Sequence, residues 1–288
     1  MTRTVEEYIY VNNTLVPISE ARISPLDRGF LYGDGLFETI RVNRGRPLFL
    51  KDHLERIESS CSAFNICLDV DPIEDWYEKI ERVIAANNLG DGLAAVKILV
   101  TRGTDFPEPR LPKSQKPTVI IYARSYNPPS SEKYNKGLKL ITFPHRRHTK
   151  LADYKSLNYL FYLAAKEWAV GKGGDEALIL NGDGTVSEGS TTNIFYVKDG
   201  KVYKPISAHY LRGIMEKQVI KFLETAGVEV KEKETYIEGL LEADELFLTN
   251  SLVEVIPAYS IDGKVLSRKG NTIRELVEMD WGRIANCL

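Results

Sequence analysis

Residues 154–169 read YKSLNYLFYLAAKEWA, and the reading of the fold turns on them. Leu157, Leu160, Phe161, Ala164, Ala165 and Trp168 recur at helical spacing, which predicts a buried amphipathic helix. Lys155 stands at the start of that apolar stripe. Most lysines are solvated surface groups. Taken alone, Lys155 reads as a helix-end lysine with its head in water.

The rest of the chain sets the frame. Its 288 residues are enough for one or two domains with ample core. Charged residues make up 27% and the formal net charge is −2, a balance that argues against a nucleic-acid binder. No apolar run approaches the roughly 20 residues of a membrane span, and the N-terminus lacks the apolar core of a signal peptide. Cys61, Cys67 and Cys287 are too few and too scattered for a disulfide framework or a metal site. The expected setting is cytoplasmic, without metal, membrane or nucleic-acid partner.

Alternation and turn residues divide the chain. EYIYVNN predicts a strand ending at an Asn-Asn turn. GLFETIRV is a second strand, followed by the turn NRGRP. Asp52 is placed as the N-cap of the helix HLERIESSCSAFN. DPIEDWYEKIERVIAANNLG is a further helix, with Pro72 at its first turn and Gly90 beyond its end. AAVKILVTRG and TVIIYARSY are strands. The Pro- and Ser-rich stretch 127–136 is the linker. After it come the strand LKLITFP, the Lys155 helix, strands around the Asp-Gly turns at 183–184 and 199–200, and a helix LRGIMEKQVIKFLETAG stopped by Gly227. DELFLTNSLVEVIPAYSI adds more strand, and RKGNTIRELVEMDWGRIANCL a C-terminal helix. We therefore expect two α/β domains, 1–126 and 137–288, with a site at their junction.

Three segments change the reading of Lys155. In VSEGSTTNIF, Glu188 follows a strand and turn, among small polar residues. In LRGIMEKQVI, Gly213 opens a helix whose Ile214 and Met215 N–H groups lack intrahelical acceptors, a ready anion site. In DHLERIESS, Arg56 offers a forked guanidinium suited to phosphate. Each has a bland alternative: a turn glutamate, an ordinary helix start, an arginine paired with a neighbouring Glu. Together they fit pyridoxal phosphate, which needs an amine, an anion beside its ring nitrogen and a phosphate cup. Desolvation and a nearby cation would lower the amine's pKa enough for it to act as nucleophile and base.

At this point the chain resembles the class IV, fold-type IV pyridoxal-phosphate enzymes, which include branched-chain and D-amino-acid aminotransferases and aminodeoxychorismate lyase. The resemblance runs through DRGFLYGDGLFETIRV, KDHLERI, KSLNYL, SEGSTTNIF, LRGI and LTNSLVEVIP, in the family's order and spacing. It implies a small N-terminal α/β domain and a larger C-terminal, β-barrel-like α/β domain. It makes Lys155 the Schiff-base lysine and Glu188 the partner of the pyridine nitrogen. Arg56, the Ile214 and Met215 amides after Gly213, and Ser251 would hold the phosphate. Tyr159, one helical turn beyond Lys155, would reach the phenolic oxygen, Asn193 would orient the ring or Glu188, and Leu211 would pack under the ring. The family's homodimers share their sites, which would make SPLDRGFLYGDG partly a partner-site segment.

The departures bear on substrate. Met215 stands where the aminotransferases usually have threonine. Thr39 in FETIR replaces the glycine of branched-chain enzymes, and KSLNY is shorter than their lysine motif by one residue. VTRGT resembles D-amino-acid aminotransferases, but Pro107 and Pro109 occupy the positions of their Arg-x-His carboxylate trap. Arg28, Arg102, Arg110 and Arg147 are the substitute candidates for binding the substrate carboxylate, with Phe37 alongside. TNSL, GIM and GDGLFET resemble the lyase, which would release 4-aminobenzoate and pyruvate. The expected activity is ping-pong transfer of an amino group between a D-amino acid and a 2-oxo acid. The lyase is the alternative, and a branched-chain L-amino-acid aminotransferase the third reading.

Overall fold

Alternating apolar residues early in the chain build an antiparallel sheet in the computed structural model, which describes residues 6–68, 72–104, 110–114, 116–267 and 269–285. The chain divides into two units. The first comprises Met1–Asn127, Tyr154–Asn158 and Trp281–Leu288, and the second Pro128–Asp153 and Tyr159–Asp280.

In the first unit the strands are β1 (Tyr8–Val11), β2 (Thr14–Pro17), β3 (Gly35–Asn43), β4 (Arg46–Pro47), β5 (Leu93–Thr101) and β6 (Thr118–Ser125), in spatial order β2-β1-β6-β5-β3-β4. One face is apolar at every second residue: Leu36, Ile40 and Val42 on β3, Val96, Ile98 and Val100 on β5, and Ile121 on β6. That face is covered by Leu54 and Ile57 of helix α2 (Leu50–Ala63) and by Ile80, Val83 and Ile84 of helix α3 (Ile73–Ala86). A five-residue helix α1 (Arg28–Tyr32) precedes β3. Buried Asp27 caps it through Gly29 N at 2.8 Å and also accepts from Thr101 and Thr118, tying the loop to the sheet.

Two helix ends differ from the sequence reading. Helix α2 starts at Leu50, after Phe49 in a left-handed conformation, because Leu48, Phe49 and Leu50 are all drawn into the interior. Asp52 thus lies in the first turn and is not the cap. Helix α3 ends at Ala86, and Asn88 takes the positive φ, not Gly90.

The largest difference concerns the opening stretch. Residues Tyr154–Asn158 are not helical. Ser156 bridges Leu36, Phe37 N donates to Lys155 O at 2.9 Å, and Leu157 N donates to Gly35 O at 2.9 Å. These backbone bonds lay Lys155 along the start of β3. Helix α5 begins only at Leu160, with Tyr159 as its cap residue, so Tyr159 is not one helical turn beyond Lys155.

The second unit holds α4 (Ser131–Lys136), β7 (Leu138–Thr142), α5 (Leu160–Gly171), β8 (Glu176–Leu180), β9 (Val186–Gly189), β10 (Asn193–Lys198), β11 (Lys201–Pro205), α6 (Ile214–Thr225), β12 (Val230–Lys233), α7 (Ile237–Leu241), β13 (Glu245–Asn250), β14 (Glu254–Ile261), β15 (Lys264–Val265) and α8 (Thr272–Val277). Its strands form a curled half-barrel in the order β12-β11-β10-β13-β14-β7-β8-β9, with β15 beside β14. Asp199 and Gly200, both at positive φ, make the tight turn between β10 and β11. Helix α4 lies inside the stretch read as linker, its start capped by Ser130. The expected C-terminal helix is broken into α8 and α9 (Trp281–Ala285). On α5, Ala165 and Ala169 are buried with Phe161 packed against them, whereas Leu160, Leu163, Ala164 and Trp168 are exposed, so only part of the expected stripe is the packed face.

The first unit's core contains a charge. Glu38, on β3, is 1% exposed. Arg56 binds it side-on along one edge of its guanidinium, Nε and Nη2 each at 2.6 Å, and His53 donates through Nδ1 at 2.7 Å. Burial pushes this carboxyl up, but Arg56 and His53 outweigh it and hold it down at about 2, from an ordinary 4.5. His53 is itself pushed down by burial, against the pull of Glu38, which favours the neutral donor. The ionised acid is therefore favoured in the fold. Its contribution, about 3 kcal/mol, is complete above roughly pH 4.5 and is lost as pH falls towards 2. The thermal midpoint should drop steeply over that window, and Glu38→Gln should lower the midpoint at pH 7 while flattening the acid drop. An unchanged acid dependence in Glu38→Gln would refute the assignment.

Candidate active site

Two groups of residues, one in each unit, gather the chemistry. In the first unit, the bridge to Leu36 fixes the backbone of Lys155, and its Nζ lies 4.6 Å above the Phe37 ring. Lys97 Nζ lies 4.8 Å from the centre of the same ring. Burial, with Arg124 nearby, pushes the Lys97 ammonium below its ordinary range. The charge of Lys155 is felt at His53, beside Glu38 and Arg56. Thus β3 offers Phe37 on one face and Glu38 on the other, with Arg56 clamped by Glu38.

In the second unit, Glu188 sits in β9, buried on all sides. Arg147 Nη1 donates to Glu188 Oε1 and to the Tyr162 hydroxyl, the latter at 2.9 Å. Its Nη2 donates to Ser187 Oγ at 2.7 Å and to the His209 carbonyl at 2.5 Å. The other carboxylate oxygen accepts the Leu211 N–H at 3.2 Å. Burial pushes the Glu188 carboxyl up to about 6, against the pull of Arg147, so it is mainly ionised at neutral pH. Tyr159 stacks on Tyr162 at 5.0 Å and donates to Ser190 O at 3.2 Å. Burial pushes both phenols above their ordinary range, so they remain donors.

The start of α6 completes this group. Asn193 Nδ2 donates to Leu211 O at 2.7 Å. A Cβ at position 213 would meet Asn193 Oδ1 at 2.0 Å, so only glycine lets the chain enter the helix here. Ile214 and Met215, the first two helical residues, carry N–H groups with no acceptor within the helix. Across the β10–β13 ladder from Asn193 stands Thr249, fully buried, its hydroxyl without a partner among the described residues. Asn250 holds the following turn by accepting from Leu252 N and Val253 N, with Ser251 between them, half-buried. An orphaned buried hydroxyl and a helix start closed to any Cβ suit a phosphate, and a buried carboxylate suits a ring N–H. The residues therefore fit pyridoxal phosphate.

The arginines expected at the substrate carboxylate are placed otherwise. Arg28 and Arg102 both pair with Asp34, at 2.8 Å each, and Arg102, wholly buried, also binds the Phe64 and Pro112 carbonyls. Arg28 also binds the Arg110 carbonyl at 2.9 Å. These contacts lock the loops around Asp34. Arg147 holds Glu188, a role the sequence did not reveal, because PHRRHTK has the composition of a solvated loop. Glu38 and Thr249 were likewise missed, since each looks like an ordinary residue within a strand. Pro107 and Pro109 lie outside the described residues. No group of His, Cys, Asp or Glu suited to a metal occurs among the described residues, and none of their helices is long and apolar enough to cross a membrane.

The Amino-transferase class IV family profile matches residues 35–261. A Methanocaldococcus jannaschii protein, provisionally named a branched-chain-amino-acid aminotransferase, is 37% identical over 94% of this chain and 94% of its own. A D-alanine aminotransferase of Staphylococcus haemolyticus is 31% identical over 94% of this chain and 95% of its own. The T.th. branched-chain amino acid aminotransferase, solved with N-(5'-phosphopyridoxyl)-L-glutamate, superposes with a TM-score of 0.87 at 28% identity, covering 98% of this chain and 95% of the other. The motifs, the fold and these likenesses agree: this chain belongs to amino-transferase class IV and is a pyridoxal-phosphate-dependent aminotransferase.

Proposed function

We propose that Lys155 is the amine that holds the cofactor and moves the substrate's proton, and that Glu188 is the anion beside the cofactor's ring nitrogen. The observation that carries this reading is the buried Glu188 carboxylate, fixed by Arg147 and the Leu211 N–H. Pyridoxal phosphate, when bound, supplies an electron-accepting ring conjugated to the substrate nitrogen. With the cofactor bound, the Lys155 amine would be the base that takes the proton from the donor's Cα and gives it up again. Glu188 accepts the ring N–H and keeps the ring positive. The Ile214 and Met215 amides, Ser251 and the outer part of the Arg56 fork hold the phosphate. Tyr159 donates towards the phenolic oxygen. Leu211 packs against the ring, and Asn193 fixes Leu211. Phe37 borders the substrate. The 2-oxo acid product leaves before the acceptor enters, giving ping-pong kinetics.

For the donor we favour a D-amino acid. VTRGT and the extended likeness to a D-alanine aminotransferase support it. A branched-chain L-amino acid is the second reading, favoured by the higher identity to the Methanocaldococcus relative. We further propose a cytoplasmic homodimer with a shared site. Exposed Leu26, Phe30, Leu31 and Tyr32 in the first unit, and Leu160, Leu163 and Trp168 in the second, are the apolar groups a second copy would cover.

Three measurements test this reading. The purified enzyme should be yellow, and Lys155→Ala should lose the absorption band of the lysine-bound cofactor together with more than about 10³-fold of its turnover. A variant keeping both would sink the lysine assignment. In single half-reactions, D-alanine or D-glutamate should bleach that band faster than L-leucine or L-glutamate. The reverse order selects the branched-chain reading, and pyruvate released only from aminodeoxychorismate selects the lyase. Sedimentation should give twice the chain mass, reduced towards a monomer by Phe30→Glu with Leu160→Glu; a wild-type monomer would rule out the shared site.

A further inference from the structure

We infer that the buried ion pair between Lys204 and Glu216 sets how tightly the first turn of α6 holds a phosphate monoester. This rests on the phosphate role proposed above for Ile214 and Met215. Gly213 has no side chain to cap the helix, so Glu216, the third helical residue, reaches back: its Oε2 accepts from Gly213 N at 2.8 Å. That bond secures the helix start, but it also puts a fixed anion in the turn where the phosphate would lie. A helix N-terminus attracts one negative group, and a second close to it is repelled.

The fold answers with a cation from a neighbouring strand. Lys204 of β11 donates through Nζ to Glu216 Oε1 at 2.7 Å, to the Tyr210 hydroxyl, and to Glu232 at 3.0 Å. Both members of the pair are buried, with side chains 8% and 4% exposed. Tyr210 adds a hydrogen bond to the same carboxylate oxygen at 3.2 Å. Burial disfavours the ammonium, yet Glu216 raises it above its ordinary range, so it stays charged. The charge of Glu216 also reaches Glu188 and adds to the upward push on that acid. Lys204 is thus a positioning residue: its Nζ is held by Glu216, Tyr210 and Glu232, and it acts through Glu216 by cancelling its charge.

The test compares pyridoxal phosphate with pyridoxal, which lacks the phosphate. Each is titrated into resolved enzyme, with the dissociation constant read from the absorption of the bound form. Lys204→Met should weaken pyridoxal phosphate about ten- to hundredfold and leave pyridoxal nearly unchanged. Glu216→Gln keeps the hydrogen-bonding shape without the charge, so it should bind the phosphate form at least as tightly as wild type. Adding Glu216→Gln to Lys204→Met should restore most of the loss, and Lys204→Arg should retain affinity. Equal losses for both compounds, or no recovery in the double variant, would overturn the inference and leave Lys204 a merely structural group. If Lys204→Met fails to fold, Glu216→Gln alone decides: weakened phosphate affinity would contradict the charge argument. Wild type binding pyridoxal as tightly as pyridoxal phosphate would instead refute the phosphate role of α6 on which the inference rests.

Discussion

A carboxylate can stay ionised at the buried position 188 only if something there replaces water, and in this chain Arg147 does so. Its fork joins Glu188 to Tyr162, Ser187 and the carbonyl of His209, and Glu188 in turn holds the Leu211 N–H. Asn193 takes Leu211 from the other side, and at Gly213 the chain passes into α6. The acid and the helix start are therefore parts of one hydrogen-bonded assembly. A shift in Arg147 would be felt at both. The first unit solves a similar problem at Glu38, where Arg56 and His53 stand in for water.

These pairs also set protonation. At Glu188 burial wins over its cation, and the acid is left poised near neutrality. At Glu38 two partners win over burial, and the acid is strongly ionised. Opposite outcomes from similar ingredients show that neither burial nor pairing decides alone. What differs is the charge around each carboxylate: Arg56 grips Glu38 through two nitrogens with His53 beside it, whereas Glu188 has one nitrogen of Arg147 and the negative charge of Glu216 working against it.

Much of this was legible in residue order. Period-two alternation gave β3, β5 and β6, Asp199-Gly200 gave its hairpin, and the motif set from FETIR to LTNSLVEVIP gave the family. The path of Lys155 was not legible. Its neighbours have helical spacing, yet backbone bonds to β3, from residues more than a hundred positions earlier, override that preference. The fates of Arg28 and Arg102 were hidden for the same reason. A guanidinium reads alike in sequence whether it meets a substrate or Asp34, and only the folded chain brings that aspartate between the two.

The five residues Tyr154–Asn158 have a consequence for how the protein comes into being. They belong to the first unit, yet they are synthesised after part of the second. Ser156 meets Leu36 across about 120 residues of chain. On the ribosome, β3 must wait for that partner, and Trp281 arrives later still. Closing such a loop is slow relative to local pairing. The amine at 155 thus reaches its final surroundings late in folding, so a chain truncated before residue 154 would present β3 with this edge contact unmade and would lack the reactive group altogether.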